Sequence, residues 1–236
     1  MEKALRVLAF DFLGFGDSDK PRRWRYSIHQ QADLTEAVWR HWGVERTWVV
    51  AHDYGATVAQ ELLARRAEKN AGVEIRGITF LNGGLYADLH RPLRIQRLLR
   101  KPIAGALLSA VANQRMFRRN FRRVFSRTHR PGEDELAQHW AAISRRGGHR
   151  LGHRLIHYIA DREQHHERWE RALETTRVPL HFVWGMADPV SGAHVAKRLR
   201  ERLPHARGIE LSEIGHYPQL EAPDLVEMEI RRMALA

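Results

Sequence analysis

Apolar residues alternate between short unbroken runs and a four-residue spacing along most of this chain. The run at Leu5–Phe12 is typical of a strand buried on both faces of a parallel sheet. Apolar residues at helical spacing follow over 27–42 and predict a helix, with Ser27 as its N-cap. Two further apolar runs predict strands at 47–51 and 75–81. The first third of the chain is therefore predicted to alternate between strands and helices.

The middle of the chain has a different pattern, because only helical spacing is found from about Leu89 to Leu173. The elements predicted after it are strands at 179–184 and 208–211 and helices at 193–203 and 223–235. Alternation on both sides of an all-helical stretch indicates an α/β fold, with a mostly parallel sheet of about five strands and an inserted helical cap. We expect the two parts of the α/β core at 1–88 and 174–236, and the cap at 89–173.

One strand-to-helix junction provides the first candidate for chemistry. The second predicted strand ends in the sequence HDYG, and a helix is predicted over 57–69. The small residues Ala51 and Gly55 allow a turn tight enough to hold the side chain of Asp53 at a strained apex, as in a nucleophile elbow. The same pattern also fits an ordinary turn in which Asp53 is the N-cap of the helix.

Two later strands end in residues that would complete such a site. Ligands of parallel sheets bind beyond the carboxyl ends of the strands. Asp188 follows the strand at 179–184, and His216 follows the strand at 208–211. With Asp53, this gives the chain order nucleophile, acid, histidine that is found in α/β-hydrolase triads. Each residue also has an ordinary alternative, because Asp188 precedes a proline and could serve a turn, while His216 is one of 15 histidines.

An aspartate in the nucleophile position restricts the reaction. A carboxylate can displace a leaving group from a saturated carbon and form an alkyl ester on Asp53, which water activated by His216 then hydrolyses. Asp188 would orient the imidazole and stabilise its charged form. The backbone N–H of Tyr54 would donate to the oxyanion that forms on the ester. This chemistry suits epoxides and alkyl halides rather than esters or peptides.

These motifs resemble the α/β-hydrolase superfamily, in its epoxide hydrolase and haloalkane dehalogenase branch. Within that branch the sequence closely resembles hydrolases of the mesoderm-specific transcript type. The motifs are, in chain order, DFLGFGDSDKP, HDYGATVAQELL, LNGG followed by HRPL, the YIxxR run of the predicted cap, WGMADPV and GHYPQLEAP. The resemblance covers the whole chain and implies Asp53 as nucleophile, Asp188 as acid and His216 as base. It does not identify the substrate.

Two tyrosines affect the choice between the reactions of this branch. In dehalogenases a tryptophan commonly follows the nucleophile and binds the leaving halide through its indole N–H, whereas Tyr54 stands there in this chain. Epoxide hydrolases use cap tyrosines, usually two, to protonate the ring oxygen, and the predicted cap contains the single tyrosine Tyr158. We therefore expect an epoxide hydrolase-like enzyme with Tyr158 as proton donor. A haloalkane dehalogenase-like hydrolase is the alternative, and Tyr158 could instead be an amphipathic ring packed under the cap.

The resemblance also implies segments that this sequence does not contain. Members of the family have three strands before the one predicted at Leu5–Phe12, and a His-Gly-x-Pro loop after the third supplies the second oxyanion donor. That third strand would lie between the strands at 5–12 and 47–51, and its absence leaves an empty lane or forces the two together. We therefore expect a start upstream of Met1. An inactive truncated homologue, or a binding scaffold with a basic cap, is the rival to the enzyme.

The net charge of +11 is distributed unevenly. Twelve Lys and Arg residues and no Asp or Glu occur from Leu89 to Gly132. Such a stretch can bind nucleic acid or an anionic membrane. However, the aromatics of note within it are Phe117 and Phe121, and no nucleic-acid motif accompanies them. A solvated basic helical face explains the stretch better, so nucleic acid is not an expected partner.

A histidine pattern in the predicted cap raises the question of a metal. The residues at four-residue spacing are His149, His153, His157 and Asp161, and such histidine spacing can bind zinc. Glycines interrupt this helix, and four ligands on one helix face cannot easily surround an ion. We therefore expect a polar cap face, no metal and no cofactor.

The remaining expectations concern the setting of the protein. The chain has no cysteine, which excludes disulfides and thiol catalysis. Its longest mostly apolar run, 102–112, is too short to span a bilayer, and 1–16 lacks the features of a signal peptide. We expect a cytoplasmic protein that acts on a small apolar organic substrate and water. The sequence does not indicate its oligomeric state.

Overall fold

A computed structural model describes residues 5–69 and 72–235, and the strands in this part of the chain form one parallel sheet. Across the sheet the strands lie in the order β1 (Arg46–His52), β2 (Glu74–Leu81), β3 (Leu180–Gly185) and β4 (Arg207–Leu211). Each neighbouring pair is parallel, so the carboxyl ends of all four strands meet at one edge of the sheet. The predicted α/β class is confirmed.

The helices surround this sheet and fill the interval between β2 and β3. In chain order they are α1 (Ile28–His41), α2 (Tyr54–Lys69), α3 (Arg94–Leu99), α4 (Pro102–Ala110), α5 (Gln114–Phe121), α6 (Glu133–Ser144), α7 (Gly152–Leu155), α8 (Tyr158–Thr175), α9 (Ala193–Arg202), α10 (Pro218–Glu221) and α11 (Pro223–Ala234). None of these helices in the described residues is both long and apolar enough to cross a lipid bilayer. The division into core and cap at 1–88, 89–173 and 174–236 stays a prediction.

Local sequence explains where the first helix begins. The Ser27 side chain accepts the N–H of Gln30 at 3.3 Å, and the Gln30 side chain accepts the Ser27 N–H at 3.3 Å. This reciprocal pair satisfies two of the N–H groups that a helix start leaves without acceptors. The N-cap predicted at Ser27 is therefore confirmed.

The two faces of the sheet are covered by different helices because strand residues alternate in direction. Phe80, Phe182 and Trp184 belong to the large core cluster, which also contains residues of α2, α8 and α9. Leu81 and Val183 point to the other face and pack with residues of α11. The two central strands, β2 and β3, are thus buried on both sides, as their apolar sequences predict.

Helix α8 is fixed along α2 by a buried carboxylate. Glu61 accepts hydrogen bonds from Trp169 Nε1 at 2.6 Å, from Arg65 Nε at 2.7 Å and from the guanidinium of Arg168, and it pairs with His29 Nδ1 at 3.0 Å. Burial alone would raise the pKa of Glu61, but these donors outweigh it and lower that pKa. The network sets the position of α8, and so of its first turn, relative to the helix that follows β1.

The prediction of a strand at Leu5–Phe12 is wrong. This segment has no strand pairing in the structure, and Val7 is 81% exposed. A cavity of about 1170 Å³ lies between the segment and β1 and is lined by residues of both. The sequence predicts either an empty lane, meaning an unfilled strand position, between this segment and β1 or direct pairing of the two. The structure has the empty lane. An apolar run reports a preference for burial, but it forms a strand only where a neighbouring strand takes its backbone hydrogen bonds.

Candidate active site

The turn between β1 and α2 holds Asp53 in a conformation that L-residues rarely adopt. Its φ is +44°, and strain of this kind persists only when the surrounding structure enforces it. The Asp53 N–H donates to the carbonyl of Asn82, at the end of β2, at 2.8 Å. A side chain at Gly83 would lie 2.9 Å from Cβ of Ala56 and 3.3 Å from Cα of Asp53, so a glycine is needed beside the apex. At Gly55 the nearest contact would be 3.9 Å away, so its small size is not what permits this turn.

The structure brings the three side chains predicted from the strand ends together. His216 Nδ1 donates to Asp188 Oδ2 at 2.7 Å, and His216 Nε2 lies 3.9 Å from Asp53 Oδ1 on the other side of the ring. Asp188 and His216 are buried, whereas the Asp53 side chain is 35% exposed. The imidazole therefore bridges a buried carboxylate and one that a small molecule can reach.

The ionisation of this group follows from its burial and its charges. Burial would lower the pKa of His216, but the charge and hydrogen bond of Asp188 and the charge of Asp53 outweigh it and raise that pKa to about 9. Burial would raise the pKa of Asp188, but the charge of His216 and the bonds from His216, Ser191 and Val190 bring it to about 2. At neutral pH the imidazole is therefore charged and lies between two carboxylates.

Three tyrosines surround the apex, each in a different way. Tyr54 is the first residue of α2, so its N–H has no intrahelical acceptor, while its hydroxyl points away and donates to the Tyr26 carbonyl at 3.4 Å. The Tyr158 ring packs on the Tyr54 ring with centroids 5.2 Å apart. Burial and the charge of Asp53 raise the pKa of both Tyr158 and Tyr217. Both phenols therefore stay protonated beside a carboxylate.

Comparison with known proteins identifies the family of the chain. The family model for the alpha/beta hydrolase fold matches residues 2–223. The chain belongs to the α/β-hydrolase fold family. It is 41% identical to the mesoderm-specific transcript homolog protein of Bos taurus over 227 residues, which cover 92% of this chain and 67% of that protein.

Solved structures with this hydrolase fold superpose on the chain at lower sequence identity. The haloalkane dehalogenase DbeA from Bradyrhizobium elkani superposes with a TM-score of 0.78 at 23% identity, covering 95% of this chain and 79% of that one. The epoxide hydrolase CorEH superposes with a TM-score of 0.70 at 20% identity, covering 94% and 79%. At these identities the likeness concerns the fold.

Two residues that were not predicted from the sequence, Asn82 and His52, bind the candidate site residues Asp188 and His216. Asn82 Nδ2 donates to Asp188 Oδ2 at 3.0 Å and to the Gly185 carbonyl at 2.9 Å, and so joins the ends of β2 and β3. His52 Nε2 donates to the carbonyl of His216 at 2.8 Å. Burial and the charge of His216 lower the pKa of His52 to about 4, so it is neutral. Both residues lie at the carboxyl ends of parallel strands, so the signal that points to Asp53 and Asp188 also points to them.

A third missed residue, Glu221, holds the loop that carries His216. Its carboxylate is buried and accepts the N–H groups of Gly215 at 2.9 Å and Tyr217 at 3.2 Å, on either side of the histidine. It also accepts the N–H of Ser126 at 3.0 Å, from the segment between β2 and β3. One side chain thus ties the histidine loop to the helical part of the chain.

The histidine pattern of the predicted cap does not lie on one helix. His149 is in a 3-10 segment (Arg145–Leu151), His153 is in α7, and Asp161 is in α8, where its Oδ2 accepts the N–H of Ile28 at 2.8 Å. Within residues 5–69 and 72–235, no group of three or more His, Cys, Asp or Glu side chains has an arrangement that could hold a metal ion.

Proposed function

We propose that this protein is an epoxide hydrolase-like enzyme in which Asp53 forms a covalent alkyl ester with the substrate. The observation that carries the proposal is the strained apex at Asp53, whose accessible carboxylate lies 3.9 Å from an imidazole bound to the buried Asp188. A helix cap needs neither the positive φ nor a charged imidazole partner. A nucleophile needs both an enforced position and a base nearby.

In the first step an oxygen of Asp53 attacks a carbon of the epoxide ring, and the carbon–oxygen bond of the ring breaks. The ring oxygen takes a proton from Tyr158, which is buried on the ring of Tyr54. Tyr217, whose pKa is raised by burial and by the charge of Asp53, supplies a second phenol from the loop that carries His216. The product of this step is an alkyl ester on Asp53 and an alcohol.

Alkylation removes the negative charge of Asp53, so the charged His216 gives its proton to the tyrosinate left by the first step and becomes neutral. In the second step the neutral His216 removes a proton from water, and the resulting hydroxide attacks the ester carbonyl of Asp53. The Tyr54 N–H, which has no intrahelical acceptor, donates to the oxyanion. Breaking the bond between the carbonyl carbon and the alkyl oxygen restores the carboxylate and releases a diol. The proton taken from water leaves His216 charged, as it was before the first step, so the net reaction adds one water to the epoxide.

Phenols beside the nucleophile support an epoxide rather than a halide as the substrate. A ring oxygen becomes an alkoxide and needs a proton, which Tyr158 and Tyr217 can give. A halide leaves as a stable anion and needs N–H donors instead. A haloalkane dehalogenase-like activity is therefore the second candidate, and haloalkanes belong in the same panel of compounds.

The test is to trap the ester by removing the base. We expect intact-protein mass spectrometry of the His216→Ala variant, after exposure to a panel of terminal epoxides and haloalkanes, to show the mass of one added epoxide or of one alkyl group from a haloalkane. Peptide mapping should place it on Asp53. The His216→Ala/Asp53→Asn double variant is the control and should show no adduct. If no adduct forms on Asp53, and the wild type still hydrolyses an epoxide, the proposed mechanism is wrong.

A further inference from the structure

A second charged side chain, Arg162, is buried close to the proposed nucleophile. It lies in the second turn of α8 and is 3% exposed. Its Nη2 donates to Thr57 Oγ1 at 2.7 Å, and its Nε is buried without any hydrogen-bond partner. Within the part of the chain that the structure describes, no carboxylate forms an ion pair with this guanidinium. Most buried arginines are paired, because an unpaired buried charge is costly.

The surroundings of Arg162 place it at the candidate active site. Thr57 is in the first turn of α2, directly after the apex. A side chain at Gly84 would overlap Nη1 of Arg162, and a side chain at Gly83 would lie 3.3 Å from Cα of Asp53. Since consecutive Cα atoms are about 3.8 Å apart, Nη1 lies no more than about 12 Å from Cα of Asp53.

The pKa values of two neighbouring side chains depend on the charges of both Asp53 and Arg162. Burial raises the pKa of Tyr158, as does the charge of Asp53, while the charge of Arg162 acts in the opposite sense. Cζ of Arg162 is also 5.1 Å from the centroid of the Tyr158 ring. Burial and the charge of Arg162 lower the pKa of His90 to about 4, against the effect of Asp53. Nε2 of His90 is a second buried nitrogen without a partner.

We propose that Arg162, with His90 beside it, binds an anionic group of the substrate, so that the enzyme acts on small epoxides that carry a carboxylate. This inference rests on the proposed function of Asp53. A carboxylate-bearing substrate would be repelled by the Asp53 carboxylate unless a cation offset that repulsion. The planar guanidinium is the side chain best suited to a carboxylate.

The charge on segment 89–132, which contacts the histidine loop through Ser126, favours the same class of substrate. The twelve basic residues and no acidic residue of 89–132 make this part of the chain attractive to anions. The sequence predicts a small apolar substrate. The proposed substrate is more specific, because it has an apolar reacting end and an anionic end. Because Nη1 of Arg162 lies within about 12 Å of Cα of Asp53, the chain between these two ends of the substrate is short.

The experiment compares glycidate, an epoxide with a carboxylate, with glycidamide, its neutral counterpart of the same size. For the wild type we expect a higher kcat/KM for glycidate. Arg162→Met should lower kcat/KM for glycidate at least about tenfold more than for glycidamide, because a charge-assisted hydrogen bond is lost for one substrate only. Arg162→Lys should recover part of the preference. Arg171→Met removes an exposed arginine from the same helix and is the matched control, with no expected change.

A binding measurement keeps the proposal testable where turnover is absent or Arg162→Met folds poorly. We expect calorimetry to detect propionate binding to the wild type and to Asp53→Asn, with propionamide binding to neither. Equal loss of turnover of both epoxides in a folded Arg162→Met protein, or a wild type that binds propionamide as well as propionate, would overturn the assignment. Turnover of glycidamide with an adduct on Asp53 but no preference for glycidate would leave the proposed function in place and refute the anionic substrate. Propionate binding without any adduct on Asp53 would support the anion site at Arg162 and refute the proposed function.

Discussion

Glu221 is the residue whose removal should reveal most about how the histidine is held. We predict that Glu221→Ala both destabilises the protein and lowers the pKa of His216. The carboxylate is buried and accepts three backbone N–H groups, from Gly215, Tyr217 and Ser126. Its negative charge is also one of the causes that raise the pKa of His216. Alanine removes the acceptor and the charge together.

The size of the effect follows from the hydrogen bonds. Bonds to a charged group contribute about 1.5–3 kcal/mol each, but these three share one carboxylate and are not additive, so we expect a loss of about 4 kcal/mol. In a chain of this size each kcal/mol changes Tm by about 2–4 °C, so Tm should fall by about 8–16 °C. The direction for the pKa of His216 is downward, because a neighbouring negative charge favours the imidazolium.

Thermal unfolding followed by circular dichroism measures the first effect, and an NMR titration of the His216 imidazole measures the second. Glu227→Ala is the matched control, since Glu227 is exposed on α11 and pairs with Arg231. It should change Tm little and leave the titration of His216 unchanged. A Tm within about 4 °C of the wild type for Glu221→Ala, with His216 titrating as before, would refute the reasoning.

Three further predictions concern the charges of the site and the helix beside it. Asp53→Asn should lower the pKa of His216, because it removes a negative charge 3.9 Å from Nε2, and an unchanged NMR titration would contradict this. Glu61→Gln should lower the free energy of unfolding by about 3 kcal/mol, measured in urea, because Arg168 and its neighbours lose a buried charged acceptor; an effect below about 1 kcal/mol would argue against the network. The raised pKa of His216 should stabilise the fold fully below about pH 6.5, and this stability should be lost as the pH rises through about 9. The lowered pKa of Asp188 should stabilise it above about pH 3.8, with loss as the pH falls through about 2. Urea unfolding across pH 5 to 10 should therefore show a larger fall at high pH in the wild type than in His216→Gln, and parallel curves would contradict the assignment.

The elements that could be predicted from the sequence are those whose signal is local. The cap of α1 depends on Ser27 and Gln30, three residues apart, and the strands depend on apolar runs of a few residues. Asp53, Asp188 and His216 were found because parallel strands bring their carboxyl ends to one edge, so three local signals imply one site. Knowledge of the fold class was enough to bring them together.

Other features could not be predicted, because they depend on contacts between distant parts of the chain. Glu221 binds the N–H of Ser126, which is 95 positions away, and Arg162 binds Thr57, which is 105 positions away. Neither residue type nor spacing indicates that these groups meet. The error at Leu5–Phe12 has a related cause, since an apolar run carries no information about whether a neighbouring strand is present to pair with it.

In the proposed reaction, the negative charge of Asp53 partly offsets the charges of His216 and Arg162. Alkylation of Asp53 removes that negative charge. Before the first step its negative charge helps to raise the pKa of His216, and it opposes the effect of Arg162 on the pKa values of Tyr158 and His90. The ester is neutral, so both cations lose that compensation at once. His216 can respond by giving up its proton, and this makes it the base that the second step needs. Arg162 cannot respond in this way, because a guanidinium does not lose its proton in proteins. It therefore needs an anion that remains after alkylation, and the substrate, now bound to the enzyme, is the component that can bring one.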